Sequence, residues 1–225
     1  YYRLFISEFL LENLKKIIYV DSDVLCINNP EVDFENMFND FEKFNKTIAV
    51  YPEIIKKSKD HDLFSNLELQ YDKYFNAGVM FINFEKWAKE VSVDKLLEFV
   101  EIYKEKIIFW DQDILNKYFD GNYVEIKNIL NFSVKSSIPV NSFIDNAKLI
   151  HYAGNHKPWT IEAGCEESST IFFNLYQELN LGYYFFTKKN RLTKTLISII
   201  SDIISLKVFR TKYPMKYIKE AIKTM

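Results

Sequence analysis

The sequence predicts an α/β fold, a buried sheet flanked by helices, and three observations carry that expectation. Short β-branched and aromatic runs at 17–20, 47–51, 74–84, 123–126 and 149–154 alternate with helical patterns. Only five Gly and five Pro occur in 225 residues, too few for a turn-rich all-β sandwich. Hydrophobic residues make up 48% and aromatics 17%, enough to fill one sizeable core.

Residues 1–14 read as a helix, with Leu4, Phe5, Phe9, Leu10 and Leu14 on one apolar stripe. Ile17, Ile18, Tyr19 and Val20 then form a run suited to a buried parallel strand, which stops on Asp21 and Asp23. In extended chain positions i and i+2 share a face, so both carboxylates project together and can converge on one hard cation. The carboxyl ends of strands are where open α/β sheets bind ligands. Two solvated acids in a tight turn are the alternative.

Asn29-Pro30 marks a turn, and 31–38 reads as a short helix with acids in its first turn. Residues 47–51 form a second buried strand, ended by Pro52. The stretch 53–70 is polar and without clear period, and is expected to be a mobile excursion bordering a cleft. Asn76, Ala77 and Gly78 open the apolar run 74–84, and small residues at a strand entry let backbone approach a ligand. Helices follow at 85–90 and 93–106. Trp110, Asp111, Gln112 and Asp113 start another running to 118, with Asp111 expected as its N-cap. His151 sits at the tip of the run 149–154, with Gly154 and Lys157 just beyond, an end suited to a cation and a phosphate. A helix is expected at 166–179.

The net charge of −2 hides an asymmetry. Residues 188–225 carry ten Lys/Arg against Asp202 and Glu220, a net of +8, whereas residues 1–187 carry a net of −10. The chain therefore divides into a body at 1–187 and a basic tail at 188–225, where 191–206 and 212–223 read as amphipathic helices broken near Pro214. An acidic body excludes nucleic acid as the expected partner. Cys26 and Cys165 suggest a reducing compartment, not a disulfide framework, and no apolar run reaches membrane-spanning length. Two carboxylates and an imidazole suit a divalent cation that keeps positions open for substrate oxygens; the imidazole favours manganese over magnesium.

The segments YYRL (1–4), IYVDSDVL (18–25), FNAGVMFIN (75–83), WDQDILN (110–116) and HYAGNHKPW (151–159) together resemble family 8 glycosyltransferases. That family includes bacterial lipopolysaccharide galactosyl- and glucosyltransferases and the glycogenins. The resemblance covers about 1–159, in the family's order and spacing. It implies a GT-A type, Rossmann-like mixed sheet, a UDP-glucose or UDP-galactose donor, a manganese ion (magnesium as the alternative), a glycan acceptor and retention at the anomeric carbon. Carried over by motif, Asp21, Asp23 and His151 would ligate the metal. Arg3, Ser22, Asn76, Ala77, Gly78, Gly154 and Lys157 would line the donor site, and Asp111 and Gln112 would face the transferred hexose as the catalytic pair. Gln112 stands where the family's candidate nucleophile stands, although a neutral amide is a poor one. A front-side displacement needing no enzyme nucleophile is preferred.

The resemblance also implies that strands carrying uracil and ribose contacts precede Tyr1 in a longer protein, and that 188–225 sits peripherally on the cytoplasmic face of a membrane. Two other readings stay open: a haloacid-dehalogenase-like phosphatase, which also places a DxD after an apolar strand, and a sugar-binding relic of the transferase fold.

Overall fold

The computed structural model describes all residues except 11, 12, 57–60, 136, 156, 188–191 and 225. The described strands are β1 (Lys16–Val20), β2 (Val24–Cys26), β3 (Ile48–Lys56), β4 (Lys73–Asn83), β5 (Val124–Glu125), β6 (Phe132–Ser133) and β7 (Leu149–His151). The helices are α1 (Ile6–Phe9), α2 (Glu31–Phe44), α3 (His61–Asn66), α4 (Phe84–Glu90), α5 (Val93–Tyr103), α6 (Asp111–Phe119), α7 (Glu167–Glu178), α8 (Leu192–Ile204) and α9 (Pro214–Ile222). Contacts group these into two units, Tyr1–Ser22 with Asn29–Asn131, and Asp23–Asn28 with Phe132–Met225.

The first unit is built on a mixed sheet ordered β1-β4-β3-β5. β4 is buried from Tyr74 to Ile82 because it lies between two neighbours and beneath α2, α4 and α6. It runs antiparallel to β1 and β3, whereas β5 joins β3 in parallel. Leu4, Ile6, Ile48, Val50, Met80, Ile82, Trp87, Leu96, Ile114 and Leu115 fill its core. Two helices start on side-chain caps: Asn83 accepts from Lys86 N and Ser92 from Lys95 N.

Several elements differ from the sequence reading. β1 is a half-buried antiparallel strand at the sheet edge, not a buried parallel one. The expected helix 1–14 is a 3-10 turn at Tyr2–Phe5 and a single α turn. Leu10 is already extended and Phe9 exposed; Leu4 and Ile6 are buried in the core, and Phe5 and Leu14 pack against it half-buried, while 11 and 12 lie outside the described residues. β3 runs through Pro52 to Lys56; Pro52 stands opposite Phe75, whose carbonyl accepts from Asn116 Nδ2, so the amide that proline lacks is replaced by a side chain. The polar stretch 53–70 is largely structured: α3 and the turn after it bury Leu63, Phe64, Leu67 and Leu69 against Tyr74 and Tyr103. Leu63, Phe64, Leu67 and Leu69 carry this, too few within a polar stretch to register as a period; 57–60 lie outside the described residues. α2 extends six residues beyond its expected end, to a left-handed Asn45.

The second unit carries a three-stranded sheet, β2-β7-β6, with β2 antiparallel and β6 parallel to β7. A further core joins Cys165, Phe173 and Tyr184 to Ile199 of α8, Val208, and Tyr217 and Ala221 of α9. Gly164 allows this closeness, since a Cβ there would lie 2.8 Å from Tyr217 Oη. Pro214 opens α9 at a position needing no N–H donor.

Candidate active site

In the first unit the site is organised by a bulge in β4. Val50 pairs with Met80, but the next β3 residue, Tyr51, pairs with Asn76, so Ala77, Gly78 and Val79 face no β3 residue. Buried backbone groups need partners, and side chains supply them. Asn116 Oδ1 accepts from Phe75 N at 2.8 Å, and its Nδ2 donates to Phe75 O at 2.9 Å. Gln112 Oε1 accepts from Ala77 N at 3.0 Å, Arg3 Nη1 donates to Ala77 O at 2.5 Å, and Asn76 Oδ1 accepts from Gly78 N at 2.9 Å. Gly78 O accepts from Asp21 N at 2.8 Å. The residues expected at the sugar site thus first act as a scaffold for one another.

Arg3 is the hub. Its Nε donates to Asp111 Oδ2 at 2.9 Å, its Nη2 lies 3.3 Å from Asp21 Oδ1, and its guanidinium sits 4.9 Å from the Tyr19 ring centre. Tyr19 Oη also donates to Asp21 Oδ1, at 2.7 Å, and burial raises the Tyr19 phenol pKa, so it stays a donor. Asn76 Nδ2 donates to Glu53 Oε1 at 2.6 Å and Asn131 Nδ2 to Asn76 Oδ1 at 3.0 Å, which fixes the Asn76 amide.

Asp111 is not the N-cap. It is the first residue of α6, and Trp110 holds the cap position with φ 59 and ψ −129. A bulky side chain at positive φ costs about 1–3 kcal/mol and persists only where surroundings impose it. Asp113, fully buried, imposes it here: Oδ2 accepts from Ile108 N at 2.6 Å and Phe109 N at 2.9 Å, while Oδ1 accepts from Tyr74 Oη.

In the second unit Asp23 meets two cationic or proton-bearing partners. Its Oδ1 lies 3.2 Å from His151 Nε2, and its Oδ2 is bonded to Lys157 Nζ, which also donates to Tyr152 O at 2.6 Å. Burial alone would raise the Asp23 pKa, but hydrogen bonds from His151 and Lys157 outweigh it and hold the carboxyl at about 2. β7 positions His151 opposite Val24, the residue after Asp23, and Tyr152 N donates to Asp23 O at 3.0 Å. Gly154 has φ +80 with open space where a Cβ would stand, so ligand could approach the backbone there.

The two early acids do not share an extended strand: Ser22 and Asp23 form a turn, Asp21 belongs to the first unit and Asp23 to the second. The first unit gathers Arg3, Asp21, Asn76, Ala77, Gly78, Asp111 and Gln112; the second gathers Asp23, His151 and Lys157, with Gly154 in the same turn region. Sequence reasoning missed Asn116, Asp113, Glu53, Asn131 and Tyr19. The only signal for the first two was their place in WDQDILN, a run of polar residues on a helix that the core covers.

A mixed sheet whose bulged central strand carries Asn-Ala-Gly, beside a helix opening on Asp-Gln, is the GT-A type of glycosyltransferase architecture. The solved structure of the galactosyltransferase LgtC, in complex with donor and acceptor sugar analogs, matches this chain with a TM-score of 0.64 at 24% identity, covering 79% of this chain and 66% of that one. The chain belongs to glycosyl transferase family 8, whose family model matches residues 1–163.

Among curated proteins, lipopolysaccharide 1,2-glucosyltransferase of Escherichia coli is 29% identical over 187 residues, 78% of this chain and 53% of that protein. General stress protein A of Bacillus subtilis is 26% identical over 175 residues, 71% of this chain and 58% of that protein. The chain spans about half the length of the curated relatives it matches.

Proposed function

We propose that this chain is the catalytic part of a metal-dependent, retaining glycosyltransferase that moves a glucose or galactose from a UDP-sugar to a saccharide or glycan acceptor. The observation carrying this reading is the ionised Asp23 held against His151 and Lys157, a carboxylate, imidazole and ammonium meeting at the end of one short sheet. The donor set fits a divalent ion: a deprotonated carboxylate and a ring nitrogen, with a second carboxylate, Asp21, two residues away along the chain. Asp21, Asp23 and His151 would hold manganese, magnesium being the alternative, and the ion would supply charge to stabilise a diphosphate leaving group. Lys157 and the Gly154 backbone would bind that diphosphate, and Arg3, Ser22, Asn76, Ala77 and Gly78 would complete the donor site. The donor and acceptor sugar analogs in the LgtC complex and the lipopolysaccharide glucosyltransferase relative point the same way.

The chain's own residues favour front-side displacement. Gln112 is a neutral amide, a poor nucleophile, whose Oε1 accepts from Ala77 N, and the Asp111 carboxylate is committed through Oδ2 to its ion pair with Arg3. The acceptor oxygen then bonds to the anomeric carbon as the carbon–diphosphate bond breaks, and the acceptor proton passes to the departing phosphate oxygen. Asp111 and Gln112 orient the hexose.

A UDP-sugar hydrolysis panel with manganese, run on the longest available form of the protein, tests the proposal. Manganese-dependent release of UDP from UDP-glucose or UDP-galactose is expected, abolished in Asp23→Ala and His151→Ala. No release from any donor would overturn it.

Residues 1–187 would form the catalytic region and 188–225 a basic tail lying on the cytoplasmic face of an anionic membrane. α8 favours this, because it buries Thr195 and Asp202 while exposing Ile197, Ile200 and Ile204 along one stripe, with Lys207, Arg210 and Lys212 following. No helix among the described residues is long and apolar enough to cross a membrane. Co-sedimentation with phosphatidylserine vesicles should be lost in Ile197→Ser/Ile200→Ser; unchanged binding would refute the peripheral contact.

A further inference from the structure

The turn before α6 exposes three successive large apolar side chains, with Ile108 53%, Phe109 43% and Trp110 70% exposed. Such a run is normally costly, and an exposed apolar patch held rigidly marks a ligand surface. Here the rigidity is explicit. The buried Asp113 carboxylate takes both the Ile108 and Phe109 amides, Gln112 N donates to Phe109 O at 3.2 Å, and the Phe109 ring leans on Tyr74 at 6.1 Å. Trp110 is left with its backbone in a region that bulky residues avoid and with the Tyr1 ring set edge-on at 6.5 Å. The next two residues are Asp111 and Gln112, both anchored to Arg3 and to the β4 bulge. The fold therefore holds the backbone that carries an exposed indole directly before Asp111 and Gln112, the groups that would face the transferred hexose.

We propose that Trp110, edged by Tyr1, is a stacking platform for the sugar ring of the acceptor. The inference rests on the transferase reading and names the residue that recognises its second substrate. A pyranose has one face of C–H bonds and a rim of hydroxyls, which suits an indole that offers a broad π-face at little entropic cost. The carboxylates around Arg3 would be poor partners for that apolar face. Continuity with the donor residues selects a sugar over a lipid or a protein as the occupant: stacked on Trp110, an acceptor ring would lie beside Asp111 and Gln112.

The test uses methyl β-glucoside, methyl β-galactoside, lactose and maltose as probes with the full chain. Saturation-transfer NMR reads binding without donor, and acceptor and donor KM are compared in wild type, Trp110→Ala and Trp110→Phe. For Trp110→Ala the ratio of acceptor KM to donor KM should rise about tenfold, the size expected of an aromatic anchor, with saccharide saturation transfer lost. Trp110→Phe should recover most of both. An unchanged ratio in Trp110→Ala overturns the platform while leaving UDP-sugar hydrolysis, and hence the transferase reading, standing. Equal rises in both KM values with a lowered melting temperature assign Trp110 a structural role and overturn it too. Should hydrolysis fail for every donor, the NMR arm still decides: saccharide binding that requires an aromatic at 110 sustains the platform, and binding indifferent to that residue ends it. An NMR response to dodecyl chains but to no saccharide also overturns it.

Discussion

Asn116 is the residue on which the geometry of the β4 bulge depends most. It is buried, and its amide makes three hydrogen bonds: Phe75 N to Oδ1 at 2.8 Å, Nδ2 to Phe75 O at 2.9 Å and Nδ2 to Gln112 O at 2.9 Å. Replacing it by Ala removes all three and strands the N–H and C=O of Phe75, itself fully buried. Each such bond contributes about 1 kcal/mol net, and an orphaned buried group costs about 1–3 kcal/mol. The expected destabilisation is therefore about 3–5 kcal/mol, a large share of the roughly 5–15 kcal/mol that holds a domain together. At roughly 2–4 °C per kcal/mol for a chain of this size, the melting temperature should fall by about 6–20 °C. Urea unfolding followed by tryptophan fluorescence, where Trp87 reports the core of the first unit, measures the loss directly. Asn116→Asp keeps the acceptor for Phe75 N but loses both donors and buries a charge, so it should be no better than Ala. A loss below about 1 kcal/mol for Asn116→Ala at unchanged m-value would refute the claim that side chains hold this backbone.

Further outcomes follow from the same geometry. Gln112→Ala should keep measurable transfer, with kcat down by about 10–100-fold, and mass spectrometry of the stalled enzyme should find no glycosyl adduct at 112; abolished turnover with an adduct in wild type would restore a nucleophile. Arg3→Lys should lose most activity despite keeping the charge, because one ammonium cannot reach Asp111, Ala77 O and Asp21 together. Burial pushes the Cys165 thiol up to about 12, whereas Cys26 is exposed, so a maleimide at roughly neutral pH should label Cys26 alone until the protein unfolds.

Burial also raises the Asp202 carboxyl pKa, with Lys207 pulling it partly back. An acid raised in the folded state favours folding most below its ordinary range near pH 4, and that contribution is lost as pH climbs through the raised value. Packing of α8 should therefore weaken as pH rises from about 4, read by hydrogen exchange in α8, and Asp202→Asn should flatten the profile.

The linear chain determined the α/β class, the strands of β4 and β7 and the five motifs that place it in family 8, because apolar periodicity and motif chemistry act over a few residues. It also marked most of the polar residues gathered at the candidate site. What it left undecided depended on partners distant along the chain. Whether 17–20 pairs parallel or antiparallel is set by β4, about sixty residues on, which takes it antiparallel and leaves it at an edge. Whether Asp21 and Asp23 share a strand face is set by a turn that sends one to each unit. The roles of Gln112 and Asn76 towards Ala77 N and Gly78 N follow from a three-residue mismatch between β3 and β4, that of Asn116 from Phe75 standing opposite Pro52, and that of Asp113 from the turn before α6. Hydrogen-bond satisfaction is a property of that pairing, so only the tertiary structure could assign those side chains to it.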